Sequence, residues 1–411
     1  MRALVIGGSL GGLLAANLLA RKGWYVELFE QASEELAGRG AGIISHPELF
    51  QALEIIGVPL DDSYGVDIPL RGTFDRSGAI IATLASQQVF TTWGRLYQLL
   101  KTAFPGERYH FGHSLESLVQ DTTGVTACFA NGSAARGDLL IGADGIRSAV
   151  RAQLAPEAKL LYAGYVGWRG LADENAVSPA AHRDLSDKLA FCLPPREMML
   201  CYPVAGFTNS TRRGARCLNF VWYRPAGEAR ELPRLCTDDA GKHHGMSIPP
   251  PLIRPEVVAE MRHAADELLA PQIAEIVRLA RQPFFQPIFD VESPRMAFGR
   301  VALLGDAAFV ARPHVGMGVT KGACDALALA ECLGRGNGDV AAALLKYESL
   351  RQNCNRAVVA RGRELGAWLQ GIDTPEARCH HTPEAVMSEI AVTSGYGGAA
   401  WSRSDEVRVT R

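Results

Sequence analysis

The sequence contains no apolar run of about 18 residues, the length that a membrane-spanning helix needs. No C-x-x-C pair occurs among its nine cysteines. An odd count without a framework excludes a disulfide-stapled secreted fold and fits reduced thiols in a cytoplasm. Charge of one sign is also missing: 42 Lys and Arg stand against 44 Asp and Glu, a formal net charge of -2. A nucleic-acid partner, which needs a basic stripe, is therefore not expected. Cys379-His380-His381 and His243-His244 lack a second ligand pair to close a tetrahedral cage, so no metal site is expected. The N-terminal MRALVIGGSLGGLLAANLLARKG places one Arg before an apolar run, as a signal peptide would. Four glycines interrupt that run and no small-residue cleavage site precedes Arg21-Lys22, so a cofactor-binding strand and helix explain it better.

What is present is α/β patterning over 411 residues, long enough for two closely interleaved domains. Arg2 to Ile6, a glycine turn, a helix-forming stretch to Ala20 and Tyr25 to Phe29 form a strand–helix–strand unit of about 30 residues. Val125 to Phe129, Asn131-Gly132 and Asp138 to Ile141 read as a hairpin on a type I′ turn. The runs GYVGWRGL, FCLPP, MMLCYPV and LNFVWY predict a strand-rich middle, and 255–280 and 339–369 predict helices. The last ~30 residues read as a loose tail or oligomer contact. The first unit, the strand before Gly142-Ala143-Asp144-Gly145 and the strand 301–304 are expected to share one parallel sheet, with 161–290 largely an insertion.

Three motifs carry the chemistry. Gly7-Gly8-Ser9-Leu10-Gly11-Gly12 follows a strand and opens a helix, the setting of a dinucleotide fingerprint. A helix N-terminus there offers free N–H groups to a pyrophosphate, with Gly7, Ser9, Leu10 and Gly12 as its contacts. Glu30, followed by Gln31, lies where a carboxylate accepts from a ribose diol. Ser9 replaces the usual middle glycine and either crowds the phosphate or donates to it. The second motif is Asp144-Gly145, followed by Arg147 and Arg151. The third is Gly305-Asp306 with the loop Pro313, His314, Gly316, Gly318, Thr320 and Lys321, then Asp325. Each places an Asp at the end of an apolar strand, where it accepts from ribose or ribityl hydroxyls or simply caps a turn.

As a set over residues 1–370, these motifs resemble the class A flavoprotein aromatic hydroxylases, with the para-hydroxybenzoate hydroxylase fold. The resemblance implies a Rossmann-type FAD-binding domain (1–160 and 285–370) interleaved with a β-rich substrate domain (161–284), C-terminal helices and a tail (371–411). It implies FAD as cofactor, NAD(P)H as a transient co-substrate, and oxygen transfer to an electron-rich aromatic or N-heteroaromatic ring through a flavin C4a-hydroperoxide. Arg95 in TWGRLYQLL matches the family arginine near the pyrophosphate; Asp306, Pro313, Gly316 and Gly318 match its ribityl and flavin-ring contacts. Thr320 and Gly322 depart from the usual Asn and Ala. Looser signals, among them YAGYVGWRGL, LNFVWY and GDAAFVARPH, resemble members acting on hydroxypyridines. A homodimer is the candidate assembly.

A hydroxylase must position the ring, exclude water and help remove a ring proton. His314, beside the flavin loop, and His46, after GAGIIS, are candidate bases because imidazole titrates in the right range. Tyr165, Tyr202 and Tyr223 are candidates to orient the ring, with Trp168 and Trp222 as walls; the plainer reading makes each a half-buried sheet residue. Arg39 is a phosphate or substrate contact, or merely solvated. There is no W-x-W-x-I-P halogenase motif. The rivals are a flavin-dependent reductase or dehydrogenase on the same fold and a non-catalytic flavin-binding sensor.

Overall fold

A computed structural model describes residues 1–36, 42–336, 338–372, 374–375, 377 and 382–392. Arg39 and the Cys379-His380-His381 run lie outside the described residues. Among the described residues, no helix is long and apolar enough to cross a membrane, and no cluster of His, Cys, Asp and Glu is placed to hold a metal ion.

The expected parallel sheet is present. Strand Arg2–Ile6 lies between Tyr25–Phe29 and Leu139–Gly142, and Leu139–Gly142 pairs in turn with Val301–Leu303, all parallel. Tyr109–His110 and Ala297–Phe298 complete six strands. The central strand is buried on both faces, which is why it reads as an unbroken apolar run rather than an alternation. Helix Leu10–Arg21 is apolar almost all round because it packs between other elements, the helix Gly318–Leu333 among them. Its one buried amide, Asn17, donates to the carbonyls of Leu13 (2.9 Å) and Leu100 (3.0 Å).

Two local expectations are corrected. The partner of Val125–Phe129 is Ala134–Gly137, while Leu139–Gly142 belongs to the parallel sheet. The turn is a three-residue loop: Phe129 N–H donates to Ser133 O and only Gly132 has positive φ (84°), so it is not the two-residue type I′ form. The segment 255–280 is two helices, Pro255–Leu268 and Pro271–Leu279, because Pro271 starts a new one.

The second sheet has nine strands and draws on more of the chain than 161–290. Leu161–Asp173, Lys188–Cys192, Met198–Val204 and Cys217–Pro225 are joined by Gly42–Ser45, Val66–Phe74 and Ile80–Thr92 from upstream, and by Phe284–Glu292 and Phe309–Val310. One face packs on helices 255–268 and 271–279. The other faces the 313–318 loop and the chain's last described residues. Residues 382–392 are not a loose tail. The fully buried Arg71 guanidinium donates to the carbonyls of Met387 (2.6 Å) and Ile390 (2.7 Å) at the end of helix Pro383–Glu389, and Ala391 N–H donates to His314 O (2.7 Å).

One buried ion pair ties the third motif together. Asp325 accepts from Arg351 Nε (2.8 Å) and Asn355 Nδ2 (3.0 Å), and its other oxygen accepts the N–H of Gly305 (3.1 Å). All three side chains are buried. Asp325→Ala should cost about 3–5 kcal/mol, because it leaves the Arg351 cation buried and uncompensated. Chemical denaturation of the two proteins measures the difference, and a loss under about 1 kcal/mol would show that water reaches the pair.

Candidate functional site

At the end of strand Arg2–Ile6 the chain turns at Gly7, whose N–H donates to Phe29 O (2.8 Å). Glu30, buried, accepts from Gly8 N–H (2.7 Å) and Ala32 N–H (2.8 Å), one oxygen each, leaving further lone pairs for a diol. Gly8 O accepts from the Tyr109 hydroxyl (2.9 Å), and a Cβ on Gly8 would overlap that hydroxyl. A Cβ on Gly12 would likewise overlap Gly7 O, so both positions require glycine. Ser9 is the N-cap of helix Leu10–Arg21, yet its hydroxyl makes no capping bond. The first helical N–H to be satisfied is that of Leu13, from Ser9 O (2.9 Å), so the N–H groups of residues 10–12 stay available. Leu10 puts its side chain in the core, and Gln31 is exposed. Arg95 is held by Ser63, through Nε to the carbonyl (3.2 Å) and a second nitrogen to the hydroxyl.

For Asp144 the structure shows the capping role. Its carboxylate accepts from the Ser148 hydroxyl, Ala149 N–H (2.7 Å) and Val150 N–H (3.2 Å) at the start of helix Ala149–Leu154. Burial raises its pKa despite those donors. Arg151 runs across to the third motif, donating to Ala307 O (2.8 Å) and Asp306 O (3.3 Å). Asp306 itself presents a side chain that is 50% accessible. The walls around it still desolvate the carboxylate, and its pKa is raised.

The loop after Asp306 makes a short 3-10 turn, Pro313–Val315, passes Gly316 at φ 65° and enters helix Gly318–Leu333. No side chain caps that helix, and Lys321 N–H, bonded to Met317 O (2.7 Å), is the first satisfied. The Lys321 ammonium is 1% exposed, 3.8 Å from Asp306 Oδ1 and without a hydrogen-bond partner among the described residues; the buried Thr320 hydroxyl has none there either. These orphaned donors, two uncapped helix N-termini and glycines that exclude any side chain suit a ligand bearing phosphates, a polyol and an anionic ring. The donor set therefore fits FAD.

The histidines do not behave as expected. His314 is 1% exposed, its Nε2 is 2.8 Å from the Tyr165 hydroxyl and its ring stands 4.4 Å from that of Tyr223. Burial, reinforced by the Arg312 guanidinium, pushes its pKa down to about 3. So weak a base gives little drive for proton removal. His46 caps no helix N–H with its side chain; its Nε2 lies 3.2 Å from Gly316 O, and burial lowers its pKa too. His46 bonds to Gly316 and His314 to Tyr165, so both imidazoles anchor the 313–318 loop. Tyr165 is fully buried with a raised pKa, a neutral partner for His314.

Tyr165, Tyr202 and Tyr223 do share the sheet face toward the 313–318 loop. Trp168 and Trp222 do not: the pleat points them to the opposite face, among helices 255–279, so they are not walls of this site. The residue that the sequence reading missed is Arg169. It lies on the same face as Tyr223 by alternation, carries no ion pair among the described residues, and its buried Nε has no acceptor. Its charge acts on both Tyr202 and Tyr223. An arginine within the longest middle strand was the available signal.

Residues 1–201 match the family described as FAD binding domain, and 162–290 the one described as FAD binding domain-like. The chain is 31% identical over 369 residues to the 2,6-dihydroxypyridine 3-monooxygenase of Paenarthrobacter nicotinovorans, covering 90% of this chain and 91% of that one. It is 29% identical over 391 residues to an FAD-dependent urate hydroxylase of Klebsiella pneumoniae, with 89% of each covered. The solved structure of 2,6-dihydroxypyridine-3-hydroxylase from Arthrobacter nicotinovorans aligns with a TM-score of 0.84 at 32% identity, over 91% of this chain and 95% of that one.

The His314 environment makes a pH prediction. Below about pH 6.5 the unfolded chain takes up a proton that folded His314 refuses until about pH 3. Stability should therefore fall as pH drops through that window. His314→Gln should flatten the fall in thermal midpoint between pH 6.5 and 3, and an unchanged slope would mean that His314 is solvated.

Proposed function

The chain belongs to the FAD-dependent aromatic-ring monooxygenases, and from that premise we propose that its substrate is a hydroxypyridine, bound against the nine-stranded sheet beside the 313–318 loop. Bound FAD, reduced by NAD(P)H, supplies the activation of molecular oxygen; the chain's own residues hold, orient and charge the ring. The observation that carries the reading is Arg169, a partly buried cation facing the loop side that no carboxylate among the described residues neutralises. A ring hydroxyl placed against this guanidinium gives up its proton to solvent water more readily, and the anion is the electron-rich form that attacks an electrophilic oxygen. That removes the need for a histidine base. Tyr223, its pKa pushed up to about 12 by burial, and Tyr202, also raised, stay protonated and act as hydrogen-bond donors to ring oxygens.

His314 and Tyr165 act from behind as a positioning pair. The His314 ring stacks edge-on to Tyr223 and its carbonyl is held by Ala391 N–H, which fixes the loop that approaches the flavin. We read Gly7, Ser9, Leu10, Gly12, Glu30 and Gln31 as the adenosine and pyrophosphate end, and Asp306, Pro313, Gly316 and Gly318 as the ribityl and ring end. Asp144 supports these contacts through the helix it caps, and Arg95 through its hold on Ser63. Residues 1–160 with 285–370 form the cofactor unit in this reading, and 161–284 the substrate unit, extended by the strands within 42–92. A cytoplasmic setting accords with the cysteines among the described residues, which are all free.

NAD(P)H oxidation by the FAD-loaded protein should rise at least tenfold with a dihydroxypyridine, with label from molecular oxygen appearing in the product. Oxidation without label would make the chain a reductase or uncoupled oxidase on this ring. Arg169→Met should lower kcat/KM by about 10²–10³, the worth of a charged hydrogen bond and more. A loss below threefold would remove Arg169 from the site.

A further inference from the structure

Asn219 sits in the middle of strand Cys217–Pro225, paired across the sheet with Tyr202 on one side and Leu171 on the other. Two residues on is Val221, opposite Arg169; two more is Tyr223, whose ring touches His314. Pleat alternation therefore points Asn219 to the face that Tyr202, Tyr223 and Arg169 share, the one toward the 313–318 loop. The residue is 0% exposed, and among the described residues neither its Oδ1 nor its Nδ2 has a hydrogen-bond partner. Folded interiors leave few buried amides wholly unpaired, and those that remain call for a partner from outside the chain.

We propose that Asn219 is a specificity-determining residue that reads the lactam edge of the substrate ring, an inference that rests on the hydroxypyridine reading above. A primary amide offers an acceptor beside a donor. Its complement is a ring N–H beside a ring carbonyl, which the pyridone tautomer of a 2-hydroxypyridine carries and a phenol or a benzoate does not. A carboxylate would set oxygen against Oδ1. Arg169, one residue pair along the same face, meets the second ring oxygen as the anion. Tyr202, directly opposite Asn219 and kept protonated by burial, donates to the carbonyl they share. The site thus separates a nitrogen heterocycle from its carbocyclic twin by groups that only the heterocycle satisfies, the arrangement that gives the largest discrimination.

The test compares 2,6-dihydroxypyridine with resorcinol, which has C–H in place of the ring nitrogen, on FAD-loaded wild type, Asn219→Leu and Asn219→Asp. Binding is read from the ligand-induced shift in melting temperature and from the perturbation of the flavin spectrum, and kcat/KM from product. Wild type should prefer the heterocycle by on the order of 10²–10⁴. In Asn219→Leu the preference should shrink to within about tenfold, while the melting temperature without ligand does not fall, since two unpaired polar atoms have been removed. Asn219→Asp, which swaps the donor for a second acceptor beside Arg169, should also lose the preference, and it serves if the leucine variant does not fold. Variants that keep the wild-type preference overturn the assignment of Asn219 alone. A wild type that binds neither ring, or both alike, overturns the hydroxypyridine reading and this assignment with it.

Discussion

The turn bearing Asp306 and the helices behind it hang on one buried carboxylate. Asp325 takes Arg351 and Asn355 from the helix Val340–Gly366 with one oxygen and the N–H of Gly305 with the other. That single group fixes the turn bearing Asp306, the start of helix Gly318–Leu333 and the long helix behind them. Arg151 adds a second tie from the Asp144 segment to the same turn, through the carbonyls of Asp306 and Ala307. The second and third motifs, far apart in the chain, are thus tied by hydrogen bonds to backbone.

The nine-stranded sheet divides chemistry from support by parity. Even-numbered Trp168, Phe220 and Trp222 pack on helices 255–279, while odd-numbered Tyr165, Arg169, Asn219 and Tyr223 face the loop side. The hydrophobic face fixes the register, since a one-residue slip would bury the arginine among the helices and expose the tryptophans to the site. The loop side carries an apolar cluster of its own, with Val66, Met198, Leu200 and Val221 in it, and the unsatisfied Arg169 Nε and Asn219 amide stand on that face.

Contiguous motifs were legible in the sequence, and non-local consequences were not. The glycine turn, Glu30 and the Gly305-Asp306 segment show themselves because their geometry is set within a few residues. The parallel sheet followed from them. What the sequence hid was pairing across distance: the strands within 42–92 join a sheet otherwise built from 161–310, and Arg71 reaches Met387 and Ile390 more than 300 residues on. Strand parity sets Trp168 on the opposite face from Tyr165 and Trp222 on the opposite face from Tyr223, which tells against reading walls and orienting tyrosines on one face. The burial of His314 could not be read from parity, because it depends on Tyr165, Tyr223 and the end of the long helix arriving together.

That burial explains how the charge is distributed. A histidine placed beside a flavin loop and left solvated would titrate near neutrality and change the field at the ring with each unit of pH. Here desolvation and Arg312 keep His314 neutral, and burial lowers the pKa of His46 as well. Arg312 is itself neutralised by Asp290, with Nε and Nη2 both within 3.3 Å of its oxygens. Lys321, 3.8 Å from Asp306 Oδ1, and Arg169, without an ion pair among the described residues, are two cations that no carboxylate holds by a hydrogen bond there. In the hydroxypyridine reading, two such cations favour an anionic ring, whose proton passes to solvent rather than to a histidine of the protein.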